Sequence, residues 1–177
     1  DDAISGAIPL GISFPFYGNS FSSLRVCTNG FIGFGSMVPL FFGPNLPSLE
    51  ASGNVVAALW TDLILDAEGH IYTQQIGDVF VIQFENIARF GSQSERVTCE
   101  IVLRQTGEIL IQYKQLPPNF SDYSIGIQDG QRSKGLQIAY HSNYAQAQLS
   151  VRIVPPGCDG WLTVAADGPA GFDANLS

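Results

Sequence analysis

Asn54-Val55-Val56-Ala57-Ala58-Leu59-Trp60-Thr61-Asp62-Leu63 is a run of small and apolar residues, entered from Gly53 and followed by the polar turn Asp66-Ala67-Glu68-Gly69. A strand with one wet face alternates apolar and polar residues. An uninterrupted apolar run reads instead as a central strand buried on both faces. The rest of the chain must then supply a cover for each face.

Upstream, Gly11–Phe16 reads as a first strand, in which Pro15 suits an edge or a bulge. Tyr17-Gly18-Asn19-Ser20 is a turn, and Leu24–Thr28 and Phe31–Phe34 are strands joined at Asn29-Gly30, a strong short hairpin signal. From Ser36 to Ser52 the text turns irregular, with Pro39, Pro44 and Pro47 around Phe41-Phe42. Two adjacent phenylalanines are costly to leave in water, so this connection is predicted to pack on the sheet.

Downstream, strands are predicted at His70–Gln74, Val79–Asn86, Arg96–Leu103, Glu108–Lys114, Tyr123–Gln128, Leu136–Tyr140 and Leu149–Val154. Val97, Cys99, Ile101 and Leu103 alternate onto one face, as do Ile109, Ile111 and Tyr113, which marks an antiparallel pair with one buried side. The predicted core holds Val26, Phe34, Val56, Leu59, Trp60, Phe84, Ile101, Leu103, Ile111, Ile127 and Ile138. No segment carries an apolar stripe at helical spacing over three turns. Ten or eleven strands with short turns and no interleaved helices mean an all-β antiparallel sandwich or jelly roll. One domain is expected over residues 1–155. A C-terminal extension, 156–177, carries Trp161-Leu162-Thr163-Val164 as an extra or exchanged strand.

With 45% hydrophobic and only 14% charged residues, the chain packs a core and is not a disordered segment. A formal charge of −8, with Lys114 and Lys134 the only lysines, repels a phosphate backbone and an anionic membrane surface. The apolar runs are too short to span a bilayer as a helix, so no membrane insertion is expected. The opening Asp1-Asp2-Ala3 resembles the start of a processed mature chain, which points to an extracellular or cell-surface location.

Chemistry-bearing motifs are sparse. Cys27, Cys99 and Cys158 form no metal-ligand spacing; one disulfide can form among them, and the sequence does not choose the pair. Cys99 falls on a core face, whereas Cys27 points away from Val26. His70 and His141 have no evident nucleophile, and no phosphate-cradling loop or nucleophile elbow is present, so neither catalytic residues nor an organic cofactor are expected. Asp62, Asp66, Glu68 and Glu85 are carboxylates of the kind a glycoside hydrolase pairs, but their spacing sets no two across a cleft. Asp62, Asp66 and Glu68 around one turn would also suit calcium, although a hairpin turn is polar in any case. Asn119-Phe120-Ser121 and Asn175-Leu176-Ser177 match the N-glycosylation pattern.

In order along the chain, Phe14-Pro15-Phe16-Tyr17-Gly18, Val26 to Gly35, and Asn54 to Asp62 come first. Phe80–Asn86, Val102-Leu103 with Thr106-Gly107-Glu108-Ile109, and Ser124–Gln128 follow. This order resembles a β-sandwich domain of secreted and surface proteins of bacteria, and its first half is similar to the nidogen-type extracellular domain. The resemblance implies a non-catalytic domain with no catalytic residue to carry over. It leaves Cys27 and Cys99 where a serine and an aromatic residue are expected. Together these readings predict a structural or adhesion subunit that joins copies of itself or other surface proteins, in a filament or a layer. Trp161, Leu162, Thr163 and Val164, or else residues 1–10, would add to a neighbour's sheet edge. The alternative is an accessory module binding carbohydrate or protein, steadied by calcium near Asp62 and Asp66.

Overall fold

The computed structural model describes residues 2–155 and the strand at 163–167. Among these residues there are thirteen strands and no helix. They are β1 (Ile8–Phe16), β2 (Asn19–Cys27), β3 (Phe31–Gly33), β4 (Val55–Trp60), β5 (Leu63–Ile64), β6 (His70–Ile76) and β7 (Val79–Arg89). β8 (Ser92–Arg104), β9 (Ile109–Gln115), β10 (Ser124–Gln128), β11 (Gly135–Tyr140), β12 (Ser150–Val154) and β13 (Thr163–Asp167) complete the set. Sheet one runs β1-β2-β3-β4-β10-β11; sheet two runs β13-β12-β9-β8-β7-β5, with β6 also paired to β7. All pairings are antiparallel, and the two sheets form a sandwich. Beyond the expected ten or eleven stand the two-residue β5 and β13, which overlaps at Thr163 and Val164 the extra strand expected at 161–164.

The main core lies between the sheets. It takes Val56, Ala58 and Leu59 from β4 and Val97, Cys99, Ile101 and Leu103 from β8. Ile109, Ile111 and Tyr113 of β9 join them, as the alternation predicts. Phe34 gathers Phe14, Phe16 and Phe21 at ring distances of 5.4, 5.1 and 4.9 Å. The hydroxyl of Tyr113, fully buried, crosses the sandwich and donates to the Ala58 carbonyl at 2.6 Å. Ile138 departs from expectation, being only partly buried, because β11 is the edge strand of sheet one and its neighbours cover one side.

Every residue of β4 is buried, and its second face is covered by the irregular stretch 36–52. Cys27, Phe31, Leu46, Ala51, Val55, Ala57 and Trp60 form this outer cluster, with Met37 and Leu40 packed against it. Trp60 stacks on Phe31 at 3.8 Å, so it belongs to this cluster and not to the main core. Side chains of the sheet satisfy the loop backbone. Trp60 Nε1 donates to the Leu40 carbonyl at 2.8 Å, and Ser124 Oγ donates to that of Pro44 at 2.7 Å. Gln128 accepts from Ser48 N–H at 2.7 Å and donates to the Ser52 carbonyl at 2.8 Å. The expectation that Phe41-Phe42 would anchor the loop is corrected: they are 50% and 42% exposed, and the smaller Met37, Leu40 and Leu46 pack instead.

The Asn29-Gly30 turn is present, for a different reason than an exposed hairpin. Gly30 has φ +79°, and a Cβ there would stand 2.3 Å from the Leu59 carbonyl oxygen. Its own carbonyl accepts from Ala58 and Leu59 N–H. Buried Asn29 accepts from Leu63 N–H at 3.0 Å and donates to Asp2 at 2.8 Å. The turn is therefore a junction between β3, β4 and the chain's start.

Cys27 and Cys99 are free and buried in different clusters, so no bond joins them; Cys158 lies outside the described residues. Burial pushes the Cys27 thiol up to about 11 and the Cys99 thiol up to about 12. Thiolate is the reactive form, so both resist iodoacetamide at pH 8 in the folded protein and react after denaturation. Peptide mapping by mass spectrometry reads this, and labelling of either in the native state would contradict it. Replacing Leu103 by Ala lowers unfolding stability by about 2–5 kcal/mol, the range for a buried leucine. A near-neutral change in chemical denaturation would mean β8 presents its other face inward.

Candidate functional site

One end of the sandwich opens into a cavity of about 520 Å³ between the sheets. That is within the size range of ligand sites, roughly 300–1,000 Å³. Its walls are Pro15, Phe16, Ile109, Ile127, Ile153 and Pro155, and its rim is built from three turns. Tyr17 and Gly18 of the β1–β2 turn are left-handed, with φ of 46° and 79°. Gly107 of the β8–β9 turn has φ +90°, and a Cβ there would meet Pro155 at 2.8 Å and Pro15 at 3.0 Å. The β10–β11 turn contributes Asp129, Gly130, Gln131 and Lys134.

Polar groups are fixed around this apolar hollow. Tyr17 stands edge-on to Phe16 at 4.9 Å, and burial, with the Asp129 carboxylate nearby, pushes its phenol up to about 12. The phenol is therefore a neutral O–H at physiological pH. Asp129 closes its own turn, accepting from Ser133 N–H at 2.8 Å and Lys134 N–H at 3.0 Å. Burial raises its carboxyl, and these N–H groups with the Ser133 hydroxyl outweigh that and hold it below the ordinary value. Its charge is thus committed to the turn, which leaves Tyr17, Asn19, Gln131 and Lys134 as rim groups for a ligand.

The acids singled out from sequence lie elsewhere. Asp66 accepts two hydrogen bonds from Arg96, at 2.9 and 2.8 Å, and two from the backbone of Glu68 and Gly69 at 3.1 Å. Glu68 pairs with the same Arg96 at 3.3 Å. Glu85 lies 3.7 Å from Lys114 and accepts from Gln83. Asp62 has its carboxyl raised by burial and by nearby Asp2. None of the four lines the cavity, and among the described residues no three acidic, histidine or cysteine side chains gather as a metal cluster. His70 is exposed against Tyr72, and His141 pairs with Asp122 at 3.2 Å.

The family model described as NIDO related matches residues 1–154. The chain belongs to the NIDO-related family. The nidogen-type similarity therefore runs through the whole described sandwich up to β12 and is not confined to its first half. A domain of this family is typically extracellular. No solved structure matches the chain significantly.

In this NIDO-related domain parts of the segments expected to reach a neighbour, residues 3–5 and 163–164, have partners within their own chain. Thr163 and Val164 sit opposite Val154 and Ile153 as part of β13, and Trp161 and Leu162 lie outside the described residues. At the other terminus Ser5 N–H donates to the Val26 carbonyl and Thr28 N–H to that of Ala3, while β1 pairs with β2. Sequence reasoning missed the cavity, although Pro15–Gly18, Gly107, Ile109 and Ile127 belong to the motifs it singled out. It also missed Glu100, fully buried on the outer face of sheet two beside Gln83 and Gln112.

The Asp66–Arg96 pair gives a pH test. Hydrogen bonding to Arg96, the largest cause, holds the Asp66 carboxyl down to about 2. A depressed folded value stabilises the protein above the unfolded value of about 4 and loses that contribution as pH falls towards the folded value. Asp66→Asn therefore lowers the urea midpoint at pH 7 and flattens its decline between pH 4 and 2. An unchanged slope there would show the pair to be energetically silent.

Proposed function

We propose that this NIDO-related domain is a non-catalytic extracellular adhesion module that recognises its ligand in the cavity at the end of the sandwich. The observation that carries this reading is the cavity's construction: rigid strands supply apolar walls, and three turns bring hydrogen-bonding groups to one rim. Walls of three isoleucines, two prolines and Phe16 suit an apolar side chain on a protein partner. A sugar ring is better served by a flat aromatic platform, and Tyr17 stands edge-on to Phe16. The committed state of Asp66, Glu68 and Asp129 supports a binding role, since each carboxylate is held by an arginine or by backbone N–H groups.

The test is a methyl-resolved NMR titration with short apolar peptides and, in parallel, soluble oligosaccharides. Peptides are expected to shift the methyls of Ile109, Ile127 and Ile153. Tyr17→Asn, which keeps a residue tolerant of left-handed backbone, is expected to weaken that response at least several-fold. Shifts confined to other regions, or from oligosaccharides alone, would overturn the protein-ligand reading.

A further inference from the structure

Residues 3–5 and 163–164 pair within the chain, and β6 leaves a sheet edge open. Among the described residues β6 pairs only with β7, through residues 79–85, and no second strand pairs with its other edge, where the Gln75 side chain lies close to Gly11 of β1. His70, Thr73, Gln74, Gln75 and Ile76 are exposed, and Ile71 and Tyr72 half-buried. Edge strands are ordinarily blunted by charge, proline, a bulge or brevity. β1 carries Pro9, Pro15 and a register shift between Pro9 and Phe14. β5 has two residues, and β11 is preceded by Lys134 and faces a register shift in β10. The β6 sequence His-Ile-Tyr-Thr-Gln-Gln-Ile has no charge, proline or glycine.

We infer that β6 is a pairing edge and that its occupant is β6 of a second copy of this chain, joined antiparallel about a two-fold axis at Thr73. In that register Thr73 faces Thr73, Tyr72 faces Gln74, Ile71 faces Gln75 and His70 faces Ile76. No like charges stand directly opposite, and the threonine pair is a favourable cross-strand contact. Charge selects this edge: each copy carries −8, and β6 lets two copies meet without burying a carboxylate. Beyond the strand ends the register brings Glu68 towards Asp78 of the other copy, so added salt tightens the pair by screening. A two-fold contact between identical edges closes, giving a dimer and not a fibre. A single strand pair is smaller than a standard interface, so the association is weak.

This interface is independent of the cavity, and its test does not depend on finding the ligand. Sedimentation of the intact chain from about 10 μM to about 1 mM, a range that brackets weak association, is expected to show monomer passing to dimer. Thr73→Lys, at an exposed position, places two lysines face to face and is expected to hold the protein monomeric with an unchanged melting temperature. Thr73→Cys under mild oxidation by oxidised glutathione is expected to yield a disulfide-linked dimer, at a level above that of Gln146→Cys on the exposed turn before β12, at the far side of sheet two. A wild-type monomer at every concentration, a Thr73→Lys dimer as strong as wild type, or equal crosslinking at positions 73 and 146 would each overturn the inference.

Discussion

A strand buried on both faces must be covered twice, and the second cover in this protein is a loop with no regular structure of its own. Buried peptide groups need partners, and residues 36–52 find theirs on side chains that project from the outer face of sheet one. Gln128, Ser124 and Trp60 reach up from β10 and β4 to hold loop carbonyls and N–H groups. The loop in turn keeps water from Val55, Ala57 and Phe31. Without that row of hydrogen bonds, the apolar run of β4 would be an exposed face. With it, the sandwich gains a third, local layer.

The same strand ties the layers together inwardly. Tyr113 donates across the core to Ala58, while Gly30 lies against Leu59 so closely that any side chain there would collide with its carbonyl. These contacts fix where the turns at each end of the sheets emerge. At the end carrying Tyr17, Gly107 and Asp129, the turns stand apart over apolar walls and leave a cavity. At the opposite end Arg89 packs over Phe120 and pairs with Glu95.

The acidic surface and the edges bear on how such a domain meets others of its kind. Repulsion between copies keeps them apart over most of the surface, and the edges that could pair are largely blocked by prolines, by bulges or by the chain's own β13. β6 stands out because none of these devices operates on it. The sequence-based expectation placed assembly in the terminal segments, which would have made a head-to-tail fibre. Residues 3–5 and 163–164 pair within the chain, whereas β6 offers an edge whose symmetry gives a closed pair.

What the sequence by itself determined is the local orientation of side chains. Alternation along Val97–Leu103 and Ile109–Tyr113 placed each residue on the correct face, the unbroken run at 55–60 announced burial on both sides, and Cys27 and Cys99 were assigned correctly relative to their neighbours. These follow from the two-residue period of a strand, which depends on nothing distant. The tertiary structure alone decided what covers each face and which turns meet. Phe41 and Phe42 are left half in water because smaller loop residues fill the available space, and Ile138 is only partly covered because its strand lies at an edge. Arg96 holds an aspartate thirty residues away, and the cavity draws Tyr17, Gly107 and Asp129 from turns remote in sequence. Periodicity carries no record of such meetings, since they are set by sheet order and by the packing of one layer on another.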